Sequence, residues 1–176
     1  MQICNRLNEN LIWTNTFIGL GSNLNQPLQQ IHNALVKLAT LSKSCLLRHS
    51  SLYRTPPIGP PNQPDYINAV ALLATQLHPI ELLQQLQHIE KSQGRIRTDI
   101  RWEARTLDLD MLLYGEMCIQ EPQLTIPHPR MHQRAFVLIP LYEIADKNLW
   151  IPGIGRLEEL FKTCNDSGVQ RLMGDY

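Results

Sequence analysis

The chain has 176 residues, 43% hydrophobic and 18% charged, with a formal net charge of zero. That length supports one domain with a real apolar core, and the zero balance argues against a protein built to coat nucleic acid. No apolar run reaches the roughly 18–20 residues that span a bilayer, and the start lacks the basic, apolar pattern of a secretion signal; the expectation is a cytoplasmic protein with no membrane partner.

The four cysteines (Cys4, Cys45, Cys118, Cys164) are scattered without a C-x-x-C pair. That is neither a zinc framework nor a disulfide scaffold, and it implies reduced thiols. Residues 1–11 form a short polar extension, 12–164 a single domain and 165–176 a tail.

In chain order, Leu11 to Leu20 is a strand-like apolar run leading into Gly19-Leu20-Gly21-Ser22-Asn23. Its two glycines permit a sharp turn or close approach by another group. No Gly-Lys-Ser/Thr follows, so it is not a Walker phosphate loop. From Pro27 to Leu41 the period changes: Leu28, Ile31, Leu35 and Leu38, with Ala34 and Leu41 beside them, make a helical stripe. Pro27 suits its first turn. A second strand is expected over Cys45 to Arg54. The segment Thr55 to Pro64 has five prolines in ten residues, which excludes helix and central strand. It reads as a semi-rigid loop at the rim of a site.

Tyr66 to Thr75 is a third strand, with Ile67, Ala69, Ala71 and Leu73 on one face and Tyr66, Asn68, Val70 and Leu72 on the other. Tyr66 and Asn68 together offer a stacking surface and an amide that reads a heterocycle's edge. Equally, they fit a strand end with a satisfied polar side chain. Pro79 to Gln93 is the second helix, with Leu82, Leu83, Leu86 and Ile89 as its stripe and Gly94 as its stop. Glu90 lies near its end, just before a run of arginines.

Thr106 to Tyr114 is the fourth strand. Leu107, Leu109, Met111 and Leu113 alternate with Asp108, Asp110 and Leu112, so both carboxylates leave one face with Cα atoms roughly 6.5–7 Å apart. Two such anions repel unless a cation lies between them, and magnesium, singly or as a pair, suits carboxylate oxygens. Just upstream, Arg95, Arg97, Arg101 and Arg105 fall within eleven residues, against only Asp99 and Glu103. Taken singly, the strand is also a solvated sheet face and the arginines a solvated loop. Joined through one short loop, they point to a metal site beside a phosphate-binding segment.

The order strand, helix, strand, strand, helix, strand predicts an α+β fold with a ferredoxin-like βαββαβ core. Its sheet is largely antiparallel, with helices on both sides. Beyond Gly115 the chain turns irregular, with Pro122, Pro127 and Pro129 around His128, then Arg130, His132 and Arg134. Leu138 to Ile144 and Leu157 to Phe161 are further helical segments around Pro152-Gly153.

Seven motifs occur in order: Gly19 to Asn23, Tyr53-Arg54-Thr55-Pro56-Pro57, Asp65-Tyr66-Ile67-Asn68-Ala69, Gly94-Arg95, Arg101-Trp102, Arg105-Thr106-Leu107-Asp108-Leu109-Asp110 and Pro127-His128. Together they closely resemble the 6-hydroxymethyl-7,8-dihydropterin pyrophosphokinase family of folate biosynthesis, from about Phe17 to about Phe161. The resemblance implies transfer of pyrophosphate from ATP to the pterin hydroxymethyl group, with release of AMP. It implies that Asp108 and Asp110 bind two magnesium ions, and that Arg95 and Arg105, with Asp110, share the chemistry. It assigns Gln87, Glu90, Arg97, Arg101, Trp102, Met111, His128 and Arg134 to ATP. It places the pterin ring between Tyr66 and Phe136, with Asn68, Thr55, Pro56 and Ile58 completing its recognition. Glu103-Ala104 stand where many members have Gly-Pro, which puts the turn of the arginine loop in question.

Two other readings remain on the residues alone. One is a nucleic-acid-binding module on a βαββαβ sheet, which the zero charge and the lack of an aromatic RNP1-like run disfavour. The other is a different magnesium-dependent phosphotransferase. The expected partners are small molecules, and the expected state is a monomer.

Overall fold

Apolar alternation along two central strands gives this sheet two buried faces, and helices cover both. The computed structural model describes residues 12–59, 62–96 and 103–173. Its elements are β1 (Thr14–Ser22), α1 (Pro27–Ala39), β2 (Ser44–His49), β3 (Tyr53–Thr55), β4 (Tyr66–Thr75), α2 (Pro79–Ser92), β5 (Asp108–Tyr114), β6 (Ile119–Glu121) and β7 (Leu124–Ile126). After a 3-10 turn at Met131–Gln133 come α3 (Ala135–Ile144), β8 (Trp150–Ile151), β9 (Gly155–Arg156), α4 (Leu157–Lys162) and β10 (Gln170–Arg171). The main sheet runs β10-β3-β4-β1-β5, with β2 on the far end of β4, and every pairing is antiparallel. This is the α+β, ferredoxin-like arrangement that the order of elements predicts.

One sheet face is packed by α1 and α2. Ile18, Leu20, Ile67, Ala69, Ala71, Leu73, Leu107, Leu109 and Met111 meet Ile31, Leu35, Leu38, Leu82, Leu86 and Ile89 there. The other face packs Phe17, Val70, Leu72, Leu112 and Leu113 against Val137, Leu138 and Leu141 of α3 and Leu157 of α4. Each fully buried leucine or isoleucine of these layers stabilises the fold by about 1.5–3 kcal/mol. The second face is only partly covered. Beyond Val70 and Leu112 it carries Asn68, Tyr66, Asp110 and Asp108, and the functional cleft lies there.

Four expectations are corrected. The strand expected over Cys45 to Arg54 is two strands, because the chain leaves the ladder at Ser50. The Ser50 N–H donates to the Val70 carbonyl (2.9 Å), its hydroxyl accepts from the Val70 N–H (3.0 Å), and Ser51 turns to Glu143. Leu113 does not share a face with Leu107, Leu109 and Met111. Phe17 pairs with Leu113 and Ile18 with Met111, so Leu112 is an extra residue in β5. This bulge turns both Leu112 and Leu113 towards α3. Gln170 and Arg171, from the segment expected to be a tail, pair with Arg54 and Tyr53 as an edge strand; so short a strand leaves no periodic signal. Finally, Cys45 is disulfide-bonded, which overturns the reading of uniformly reduced thiols; spacing along a chain does not show which cysteines meet in space. Among the described residues Cys118 and Cys164 are free, and no helix is long and apolar enough to cross a membrane.

Candidate active site

Two cavities meet at Asp108 and Asp110. The first, about 270 Å³, is lined by β1, the start of β4, the loop after β3, the first residues of β5 and the N-terminal end of α3. The second, about 340 Å³, lies between the end of α2, β5 and the β6–β7 hairpin. Both aspartates line both cavities.

The first cavity gathers all six residues expected to hold a flat ring: Thr55, Pro56, Ile58, Tyr66, Asn68 and Phe136. Tyr66 stands on the sheet and Phe136 on the helix that packs over it. Burial pushes the Tyr66 phenol up, with the charge of Arg105 countering. It stays neutral and donates to the Glu103 carbonyl at 3.2 Å. Asn68 is 4% exposed and donates its amide N–H to the Thr55 hydroxyl at 2.8 Å. A Cβ on Gly21 would meet Asn68 Oδ1 at 3.1 Å, so the bare glycine is what admits this amide to the cavity floor. Gly19 lines the same floor.

The second cavity gathers Gln87, Glu90, Met111 and His128 of the residues expected on the nucleotide side. Arg134, expected with them, lines the first cavity, its guanidinium 5.5 Å from the centre of the Phe136 ring. From there it also reaches Asp110, at 3.9 Å. Glu90 is 2% exposed and accepts from the Leu109 N–H at 2.8 Å and from Arg95. It thus braces β5 at the residue between the two aspartates.

Guanidiniums surround the paired carboxylates. Arg95 contacts Asp108 and donates to the Leu107 carbonyl at 3.3 Å, and Arg105 meets the other Asp108 oxygen at 2.8 Å. Burial in the cleft, and then the charge of Asp108, push the Asp110 carboxyl well above the usual range. His128 is moved the other way, down to about 4, by burial and then by Arg134. The Arg130 N–H donates to its Nδ1 at 3.2 Å, so the neutral ring carries its proton on Nε2, which faces Asp110 at 3.8 Å. Arg97, Arg101 and Trp102 lie outside the described residues.

Some contributors were not singled out from sequence. Asn23 is 2% exposed and ties two loops together. Its amide nitrogen donates to the Pro64 carbonyl at 3.2 Å, while its Oδ1 accepts from the Arg105 N–H at 2.7 Å. An asparagine ending a strand-to-turn motif was the one signal for it. Arg130 lines the first cavity and Pro122, Gln123 and Thr125 the second. Nothing in an irregular, proline-punctuated stretch marks such residues.

A sheet floor with an amide and an aromatic ring, beside a carboxylate pair ringed by guanidiniums, defines a small-molecule transferase acting on phosphate groups. Residues 17–146 match the family described as 7,8-dihydro-6-hydroxymethylpterin-pyrophosphokinase. The chain is 50% identical over 156 residues to the 2-amino-4-hydroxy-6-hydroxymethyldihydropteridine pyrophosphokinase of Haemophilus influenzae, covering 89% of this chain and 96% of that one. It is 46% identical over 158 residues to the Pseudomonas aeruginosa protein of the same name, covering 90% and 96%. Among solved structures, a Plasmodium falciparum HPPK-DHPS triple mutant crystallised with pteroate superposes with a TM-score of 0.70 at 12% identity, over 93% of this chain. That likeness shows the fold, and this chain spans 47% of the length of that protein. The chain belongs to the 7,8-dihydro-6-hydroxymethylpterin-pyrophosphokinase family. It is an ATP-dependent diphosphotransferase of folate biosynthesis, moving pyrophosphate onto hydroxymethyldihydropterin.

Proposed function

We propose that the two cavities divide the reaction between them: the first takes the pterin, the second takes ATP, and Asp108 and Asp110 stand where they meet. The observation that supports this division most directly is that these two aspartates line both cavities. The pterin hydroxymethyl oxygen forms a bond to the β-phosphorus of ATP, the bond from that phosphorus to the α-phosphate bridge breaks, and AMP leaves. Tyr66 and Phe136 cover the ring, Asn68 meets its polar edge, and the Thr55 hydroxyl fixes the Asn68 amide so that it need not reorient on binding. Gln87, Met111 and His128 wall the nucleotide. Arg97, Arg101 and Trp102 join them on the strength of the family motif.

The residues present fit a magnesium pair. Asp108 and Asp110 are hard oxygen donors on one face, a donor set suited to a hard divalent cation, and the Asp110 carboxyl is raised by burial first and by the charge of Asp108 second. Magnesium, when bound, neutralises charge on the phosphates. Arg95 and Arg105 are held on Asp108 in this structure, and their planar forks suit phosphate oxygens. Arg134 sits between the two sides, near Asp110 and over Phe136, placed for the phosphate nearest the pterin. Asp110, which lines both cavities, is assigned to receive the proton that the pterin hydroxyl loses.

The test is AMP release from magnesium-ATP with and without 6-hydroxymethyl-7,8-dihydropterin, following the pterin by mass. Pterin-dependent AMP, with a pterin gaining two phosphates, is expected. Tyr66→Ala is expected to weaken pterin binding more than ATP binding, because stacking area is lost. AMP release indifferent to pterin, or the reverse order of affinities in calorimetry, overturns the division.

A further inference from the structure

The wall of the first cavity formed by Thr55, Pro56 and Ile58 has no regular structure of its own beyond the three residues of β3. One side of β3 is held by β4. Its other edge is filled by β10, through Arg54 to Gln170 and Tyr53 to Arg171. The Leu172 N–H extends the contact to the Leu52 carbonyl at 2.8 Å. Just before β10, Gly168 adopts φ +84° and lies on the Pro56 ring, so close that a Cβ there would meet Pro56 Cδ and Cγ at 3.2 Å.

The same segment is anchored away from the cavity. Arg171 donates to the Ser51 hydroxyl at 2.6 and 2.9 Å and to Glu143 of α3 at 3.2 Å. Glu143 also accepts from the Ser51 N–H, the Ser51 hydroxyl and the Tyr53 phenol, at 3.0, 2.7 and 2.8 Å. These bonds fasten the tail, β3 and the helix that carries Phe136 to one carboxylate. None of residues 166–172 touches the second cavity, whose lining comes from α2, β5 and the β6–β7 region.

We propose that the C-terminal segment Gly168 to Leu172 is a positioning element for the pterin: it holds Pro56, and through β3 Thr55, at the distance from Phe136 that a flat ring requires. This rests on the assignment of the first cavity to the pterin. The segment makes no contact with substrate and acts through Pro56 and Thr55 alone. A displaced wall weakens binding of the ring in the ground state and the transition state alike, so KM for pterin changes while kcat at saturation does not.

The test uses the full chain with Gly168→Val, which forces a side chain onto Pro56 at a left-handed position, and with Arg171→Ala, which removes the anchor without strain. In both, KM and Kd for 6-hydroxymethyl-7,8-dihydropterin are expected to rise roughly tenfold, while kcat and the Kd of a non-hydrolysable ATP analogue stay within about twofold. Tyr66→Ala serves as the control. A merely stabilising tail would lower the melting temperature and leave pterin KM unchanged in the folded fraction, and that result overturns the proposal. If Tyr66→Ala weakens pterin binding and the two tail variants do not, the tail's role alone fails. If none of the three changes pterin binding, the cavity assignment fails and takes the tail's role with it. Equal losses of pterin and nucleotide affinity overturn it as well.

Discussion

Glu90 offers the sharpest energetic test of how the cleft is built. It is buried at the end of α2, and its carboxylate accepts from the Leu109 N–H at 2.8 Å and from Arg95. Glu90→Ala leaves a buried strand N–H without its acceptor, which costs about 1–3 kcal/mol, and takes from Arg95 one of its two carboxylates, a charged hydrogen bond of about 1.5–3 kcal/mol. Because Arg95 keeps Asp108 and the Leu107 carbonyl, only part of the second figure is lost, and a total near 3–4 kcal/mol is expected. Glu90→Gln keeps an oxygen for Leu109 and removes only the charge, so its expected cost is about 1–1.5 kcal/mol. The gap of roughly 2 kcal/mol corresponds to about 1 M in urea midpoint for a domain of this size. Urea titrations followed by far-ultraviolet circular dichroism measure both variants at a common slope. Equal midpoints for Ala and Gln would show that the Leu109 bond contributes nothing and that Glu90 does not brace β5.

Asp108→Ala is expected to leave a folded domain, since Arg95 retains Glu90, and to lower turnover by at least about a thousandfold through loss of metal-borne charge stabilisation; near-normal AMP release at ordinary magnesium would refute the metal assignment. The Glu143 cluster predicts a pH signature. Burial raises that carboxyl, but hydrogen bonds from Ser51 and Tyr53 outweigh it and bring the folded group below its ordinary 4.5. A depressed folded value means that the stabilisation is full above about pH 4.5 and fades as pH falls through the lower folded value. The difference in melting temperature between the wild type and Glu143→Gln should therefore be larger at about pH 7 than at about pH 3.5. A constant difference across that range would sink the idea.

The parts of the fold legible in the sequence were those where many residues repeat one period. β4 and α2 begin where alternation and the helical stripe begin, because each buries a whole face against a continuous layer. The shared face of Asp108 and Asp110 followed from the same period-two rule. Elements two or three residues long were not legible. The β6–β7 and β8–β9 hairpins and β10 are held by pairing with partners, and no amphipathic run announces them. The Leu112 bulge was hidden because any extra leucine in an apolar strand looks like alternation continued. In the site, Thr55, Pro56, Ile58, Tyr66, Asn68 and Phe136, drawn from separate motifs, line one cavity. Arg134 lines the first cavity because the 3-10 turn at Met131–Gln133 and the start of α3 bring it beside Phe136, and chain position alone does not reveal that.

The pairing of β1 with β5 sets Gly19 opposite Asp110 and Gly21 opposite Asp108. A strand that alternates leucine with small or acidic residues is in principle free to slip by two positions, since the same faces would still be buried. Here the step at Leu112 opposes it, because the extra residue lies opposite the junction of Phe17 and Ile18 and a slipped strand would have to move it. The fold therefore works like a keyed connector, with the bulge as the key and the two glycines as sockets. The height of each carboxylate in the cleft is indexed to a step at Leu112, two residues beyond Asp110. A one-residue deletion at Leu112 would leave the motif intact in the sequence and put it out of gauge with the cavity it serves.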